Sequence, residues 1–378
     1  MSRRSQASNR HNVAGFSDAM EAIAPTGLAQ SWDNVGLLAG DLSASIRRVL
    51  LCIDLTVDVV DEAIRGKVDL ILAYHPPIFK PIAALRVPST GTDEAVFRCI
   101  RQGIAIYATH TALDAADGGT NDVLARLCGI RKTEPLEYVD DPGESEVKVV
   151  VFVPGDHVED VADAMFAAGA GHIGDYNRCS YRTAGQGTFF GTETTSPTIG
   201  KRGRMEYVDE VRLESIVESQ ALPAVVSAIR RSHPYEEPAF DVYPLKPRPV
   251  RGIGRCGRLT RPTPLGKLAR KLKRATQSAS VQVVGPLDRA VNRAIIVVGA
   301  AGSKPFSSAL ASQDVIVTGE IRHHDALTIQ RLGCTAIALG HWASERPVLE
   351  PLARRFEAAL PGITAQVSDA DRDPFQPV

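Results

Sequence analysis

The chain lacks paired cysteines. Its six, Cys52, Cys99, Cys128, Cys179, Cys256 and Cys334, include no C-x-x-C. Neither a zinc ribbon nor a dithiol redox motif is therefore expected. Cys52 and Cys334 stand inside apolar runs, where a buried, reduced thiol is the expectation, and a reducing cytoplasm fits. No run of about 18 apolar residues occurs, so no membrane span is expected. A large charge of either sign is also missing: the net charge is −1. A protein that coats nucleic acid is usually basic, so nucleic acid is not expected as a partner. G-x-S-x-G, a P-loop and a cysteine–histidine nucleophile pattern are all absent. The first twelve residues are basic and polar, without the apolar core of a signal peptide, and read as a frayed tail.

What is present is ordinary in bulk. The hydrophobic share is 44% and the charged share 23% over 378 residues, which suits a globular protein of two domains. The informative stretch is VDLILAYHPPIF, Val68 to Phe79. An apolar run from Leu70 to Ala73 climbs to Tyr74-His75 and stops at a double proline, the pattern of a buried strand whose tip must turn. Three other stretches match it. Ile104 to Thr109 ends at His110, with Asp114 four residues on. Asp314 onward leads to Glu320, His323 and His324. Thr335 onward ends at His341, with Glu345 four residues on.

Taken in order, the chain alternates strand and helix patterns up to about residue 132 and again from about 251 to 371. Between them, an acidic loop-like stretch near EYVDDPGESE opens a block of different composition. That block ends in a stiff, proline-rich exit, Pro244 to Arg251. Its β-α-…-β-α-β order suggests a small α+β domain of ferredoxin-like kind. The expected architecture is an α/β sheet-and-helix core, discontinuous over 13–132 and 251–371, with an inserted α+β domain over 133–250.

In α/β sheets, ligands bind beyond the carboxyl ends of the strands. Five of the nine histidines, His75, His110, His323, His324 and His341, stand just past candidate strand ends. The pairs His110/Asp114 and His341/Glu345 place imidazole and carboxylate one helical turn apart, on one face. That donor set suits Zn, Mn or Fe rather than calcium. The alternative is a row of capping or turn histidines at a solvated sheet rim. If metal binds, Glu345 or Asp114 is the candidate to bridge two ions, and hydrolysis is the default chemistry. Asp54 and Asp33 are candidates to orient histidines. Gly252 to Gly257, GIGRCG, matches G-x-G-x-x-G but follows a proline-rich stretch and reads as a glycine turn or bulge. HPYEEPAFD, His233 to Asp241, reads as a shaped surface loop, and Lys267 to Ala275 as a solvated basic helix face.

With these residues in view, the chain resembles the GTP cyclohydrolase I type 2-like, or Nif-three-like, family. The segments that carry the resemblance are SWDNVGLLAGD, ILAYHPPIF, HTALDAADGGTND, GTFFGTE, HPYEEPAFDVYPL, GIGRCGRL, VIVTGEIRHHDAL and GHWASE, from about residue 13 to 370. The resemblance implies a toroidal homohexamer, a trimer of dimers, with two divalent metal ions per chain. It implies metal ligands at His75, Asp114, His341 and Glu345, with Glu345 bridging and His110 close by. It implies a metal-dependent hydrolase acting on GTP or a related nucleotide; for such a reaction His110 or His324 is the candidate to move the proton. The alternative is a non-catalytic, ring-shaped scaffold whose metals are structural or regulatory. The chain carries Tyr74-His75 where many members have two adjacent histidines, and a tyrosine, with its pKa near 10, is a poor ligand at neutral pH.

Overall fold

Continuous apolar runs of four or five residues are the mark of strands buried on both faces, and the first of them build one sheet. Arg48–Cys52, Leu70–Ala73 and Ala105–Ala108 run parallel, Thr364–Val367 joins Arg48–Cys52 in parallel, and Gly36–Ala39 closes the far edge antiparallel. Successive side chains point to opposite faces, so one face carries Leu51, Leu72 and Tyr107 against Phe16, Met20 and Phe356. The other carries Leu50, Cys52, Ile71 and Ile106 against Val59, Val60 and Val96. The structure, a computed structural model, describes residues 11–87, 91–139, 146–245 and 251–376. Most of the expected twelve-residue tail, of the acidic boundary and of the proline-rich exit lies outside the described residues. The described parts correct the expectation, since His11–Asn12 is a short strand that leads into the first helix and Glu137–Tyr138 ends strand Glu134–Tyr138.

Contacts divide the chain into two compact units, one of residues 1–140 with 249–378 and one of residues 141–248. The first holds the five-stranded sheet and a second sheet of six strands. In the second, Ala290–Ala300, Asp314–Glu320 and Thr335–Ala338 are parallel neighbours, flanked by antiparallel Gly252–Pro264, Glu134–Tyr138 and Gln282–Val284. The four strands expected to deliver histidines are all present. They divide between the two sheets, two in each, where the sequence patterns suggested one.

The residue 141–248 unit is a four-stranded antiparallel sheet with two helices. Its order is strand Glu146–Pro154, helix Val158–Ala167, strands Tyr181–Phe190 and Met205–Glu218, helix Leu222–Ser232, strand Phe240–Pro244. Val149, Val151, Leu213 and Val217 pack under Val161, Met165, Val225 and Ile229. Tyr181–Phe190 falls in a glycine- and threonine-rich stretch with no strand-like pattern, which hid it.

One local expectation is corrected. Gly252 to Gly257 is strand rather than turn: Gly254 takes φ +68, and a Cβ at Gly257 would lie 2.5 Å from the Lys132 carbonyl, so the glycines permit close backbone approach. Lys304–Ser307 forms a single 3-10 turn. Among the described residues no helix is long and apolar enough to cross a membrane.

Candidate metal centre

The parallel strands of both sheets end at one place in the first unit. Past Ala73 come Tyr74 and His75, and past Ala108 comes His110, which opens the short helix His110–Ala115. Past Ala338 comes the short helix His341–Glu345. Both i,i+4 pairs therefore do stand on helices. His110 has φ +27, a strained conformation for a residue with a Cβ, which tends to persist where surrounding structure over-determines it.

Three imidazoles share one arrangement. His75 donates from Nδ1 to Asp54 Oδ1 at 2.9 Å, His110 from Nδ1 to Asp33 Oδ1 at 2.9 Å, and His341 from Nδ1 to Glu320 Oε1 at 2.8 Å. A carboxylate on Nδ1 fixes the tautomer and turns the Nε2 lone pair outward, as metal-binding histidines require. The rings meet: His75 is 5.3 Å from His110 and 5.5 Å from His341, centroid to centroid.

Glu345 lies between them. It is 3% exposed, with Oε1 3.3 Å from His341 Nε2 and Oε2 3.4 Å from His75 Nε2. Oε2 is buried and completes no hydrogen bond. Burial opposes the ionised form of Glu345, but its close contacts with the His341 and His75 imidazoles hold its pKa below the ordinary value. In the absence of metal the same contacts overcome burial at His75, whose pKa rises to about 10 chiefly through Asp54 and Glu345. At His341 the Glu345 hydrogen bond leads, raising it to about 9. Ligand atoms of His75, His341 and Glu345 lie within 4.8 Å of one another. Backbone shape leaves room for them. Gly299, at φ +59, faces the group, and a Cβ there would run into Glu345 Oε1 and lie 3.1 Å from His341 Nε2. These residues fit a divalent ion: two nitrogen donors, a shared carboxylate, a buried unsatisfied oxygen and a glycine that keeps the space open.

Asp114 adjoins this group but is already engaged. Tyr74, fully buried, donates its hydroxyl to Asp114 Oδ1 at 2.6 Å. Burial pushes Asp114 up to about 6, against the Tyr74 hydrogen bond and with help from the Glu345 charge. Burial likewise pushes the Tyr74 phenol well above its usual value, with the Asp114 and Glu345 charges adding to it, so the phenol stays protonated. The structure thus brings together His75, His110, Asp114, His341 and Glu345. His324 is not brought to them: it is exposed on helix His323–Arg331, its ring 5.5 Å from that of His323.

Three supporting residues were not singled out from the sequence for what they do. Asp371, 2% exposed, accepts from the Ile53 amide at 2.9 Å, Trp342 Nε1 at 3.1 Å and Arg346 Nη1 at 2.6 Å. It joins the strand end before Asp54 to the helix of His341. Asn121 donates to the Asp114 carbonyl at 3.0 Å and accepts from the Val298 amide at 3.1 Å. Arg255 binds both oxygens of Asp122, at 2.7 and 2.9 Å, and the carbonyls of Ala115 and Ala116 that end the Asp114 helix. Only the GIGRCG pattern pointed toward Arg255, and it did so for its glycines.

Fold and site together define an α/β protein with a histidine–carboxylate cluster at the carboxyl ends of two parallel-cored sheets. The chain belongs to the Duf34/NIF3 (NGG1p interacting factor 3) family, whose model matches residues 11–374. A Halalkalibacterium halodurans protein named GTP cyclohydrolase 1 type 2 homolog is 41% identical over 306 residues, 80% of this chain and 81% of that one. A Mycobacterium tuberculosis protein of the same name is 38% identical, over 92% and 93% of the two chains. Among solved structures, a Bacillus cereus protein related to NIF3 matches with TM-score 0.74 and 36% identity, over 98% of this chain and all of that one. A Staphylococcus aureus protein matches with TM-score 0.77 and 27% identity at the same coverage.

Proposed function

We propose that the chain is a cytoplasmic, metal-dependent hydrolase with a dinuclear centre, acting on GTP or a related nucleotide and working as a homohexamer. The observation that carries this reading is Glu345: one buried carboxylate offers Oε1 toward His341 and Oε2 toward His75. A carboxylate that divides its oxygens between two imidazoles is suited to bridge two ions. His75, His341 and Glu345 would hold the centre, with Asp114 as the further ligand. Bound divalent ions there supply Lewis acidity, polarising a substrate oxygen and acidifying water. His110, fixed by Asp33 through Nδ1, is placed to take and return a proton through Nε2. The names of the relatives support the nucleotide substrate class, and six free cysteines fit a reducing compartment.

The test is turnover of GTP by the metal-loaded protein, alongside Glu345→Ala. The reading expects hydrolysis that chelation abolishes and that Glu345→Ala lacks, by a sample whose mass is about six times the 40.6 kDa chain. Turnover that persists in a metal-free Glu345→Ala protein contradicts it. One observation favours a second reading, a ring-shaped scaffold with regulatory metal: the Tyr74 hydroxyl already occupies an oxygen of Asp114. That reading expects no turnover, and loss of the hexamer on chelation.

A further inference from the structure

Two sequence segments take no part in the histidine cluster: Gly187 to Glu193 and His233 to Asp241. Both belong to the 141–248 unit, where they frame a single cavity of about 590 Å³, within the range of small-molecule sites. The register explains the space. On strand Tyr181–Phe190, Gly185 lies opposite Glu210 and Gly187 opposite Val208. Residues directly opposite share a face, and this face is the one turned away from the helices, since Leu213 and Val217 pack toward them. Gly187 lets the Glu210 carboxylate lie over the strand, where a Cβ would run into its Oε2, and Gly185 leaves the neighbouring position open. A Cβ at Gly185 would meet nothing within 4 Å.

The other wall is the His233 loop. His233 is buried; its Nε2 donates to the Phe152 carbonyl at 2.9 Å and its Nδ1 accepts from the Tyr235 amide at 3.1 Å. Both ring nitrogens are used, so this histidine is a strut that carries Tyr235 into place. The Tyr235 hydroxyl is buried, with the Glu210 carboxylate as its hydrogen-bonding neighbour. It is close enough to Glu210 that the carboxylate charge, after burial, raises its pKa. Glu210 has no cationic partner among the described residues. Arg212, the lining cation, is committed to Glu214 at 2.7 Å, and Glu236 already accepts from the Ser196 amide at 3.0 Å. The cavity thus has a carboxylate without a cation, a buried hydroxyl beside it, and apolar walls at Phe190 and at Phe152, whose ring the Arg212 guanidinium approaches at 5.8 Å.

We propose that this cavity binds a small organic cation: an amine or guanidinium carried on an apolar body. The cationic head pairs with Glu210 and donates to the Tyr235 oxygen. The body lies against Phe190, whose aromatic face also favours positive charge, and beside Phe152, whose ring Arg212 already approaches at 5.8 Å. The site is independent of the metal centre and of the hydrolase reading.

The experiment titrates the full metal-loaded chain, by calorimetry, with phenethylamine, tyramine, agmatine and spermidine. Phenylacetate and 2-phenylethanol serve as anionic and neutral controls. Gly185→Val fills the cavity, and Glu210→Gln removes the charge while keeping the shape. The expected result is saturable binding of at least one amine, at least tenfold tighter than either control. That binding is lost in Gly185→Val and weakened tenfold or more in Glu210→Gln, with metal content unchanged in both. Glu210→Gln alone decides the matter if Gly185→Val fails to fold. No saturable binding by any amine, binding that survives Glu210→Gln, or preference for phenylacetate overturns the proposal.

Discussion

Each imidazole of the cluster owes its direction to one carboxylate. Asp54, Asp33 and Glu320 hold Nδ1 of His75, His110 and His341, so the acid on each histidine matters as much as the ring. Asp54→Asn keeps the shape but can present an amide to Nδ1 and permit the wrong tautomer. Loss of such a partner costs about 10- to 100-fold in metal affinity, and competition against a fluorescent chelator would read it. A second prediction concerns acid stability. Glu62 accepts from the Ser368 hydroxyl and from the amides of Asp369 and Ala370, both at 3.0 Å. Burial works against its charge, but these bonds hold its pKa below the ordinary value. A lowered carboxylate pKa stabilises the fold above the unfolded value, about 4.3, and that stability is lost as pH falls through the folded value. Glu62→Gln should cost on the order of 1 kcal/mol at pH 7, kept small by partial exposure. In urea titrations the difference from the parent should shrink as pH falls below the unfolded value of about 4.3. The chain's buried thiols are inert by the same physics: burial pushes Cys99 and Cys128 up to about 12.

At the scale of elements, the site depends on how the Asp114 helix is anchored. Arg255, 3% exposed, reaches from strand Gly252–Pro264 to Asp122 and to the carbonyls of Ala115 and Ala116. Removing one member of a buried ion pair leaves the other uncompensated. Arg255→Met should therefore cost about 3–5 kcal/mol and lower metal content through displacement of the Asp114 helix; denaturant unfolding and elemental analysis would show both. The histidine-tipped strands were legible because buried parallel strands read as unbroken apolar runs, and Leu70–Ala73 and Thr335–Ala338 are such runs. The i,i+4 pairs were legible because helical spacing is fixed. What the sequence hid was non-local. Nothing in the order of residues says that Leu70–Ala73 and Thr335–Ala338 lie in different sheets, or that Asp371 reaches back to Ile53. Strand Tyr181–Phe190 was hidden for another reason: its glycines give no hydrophobic alternation, because they face a cavity instead of a core.

For the whole molecule, the first unit places its histidine–carboxylate cluster where two parallel-cored sheets present their carboxyl ends, the position that the α/β rule assigns to ligands. The 141–248 unit has its own helix-packed core and its own cavity, so substitutions there should leave the metal centre unchanged. Tyr74 is the residue on which the two functional readings divide, since its hydroxyl occupies Asp114. The most direct measurement is metal per chain, by elemental mass spectrometry on protein purified without chelator, beside Glu345→Ala checked for fold by circular dichroism. The account predicts about two divalent ions per chain, lost in the folded variant. No metal in the parent protein, or the same metal content in Glu345→Ala, would contradict it.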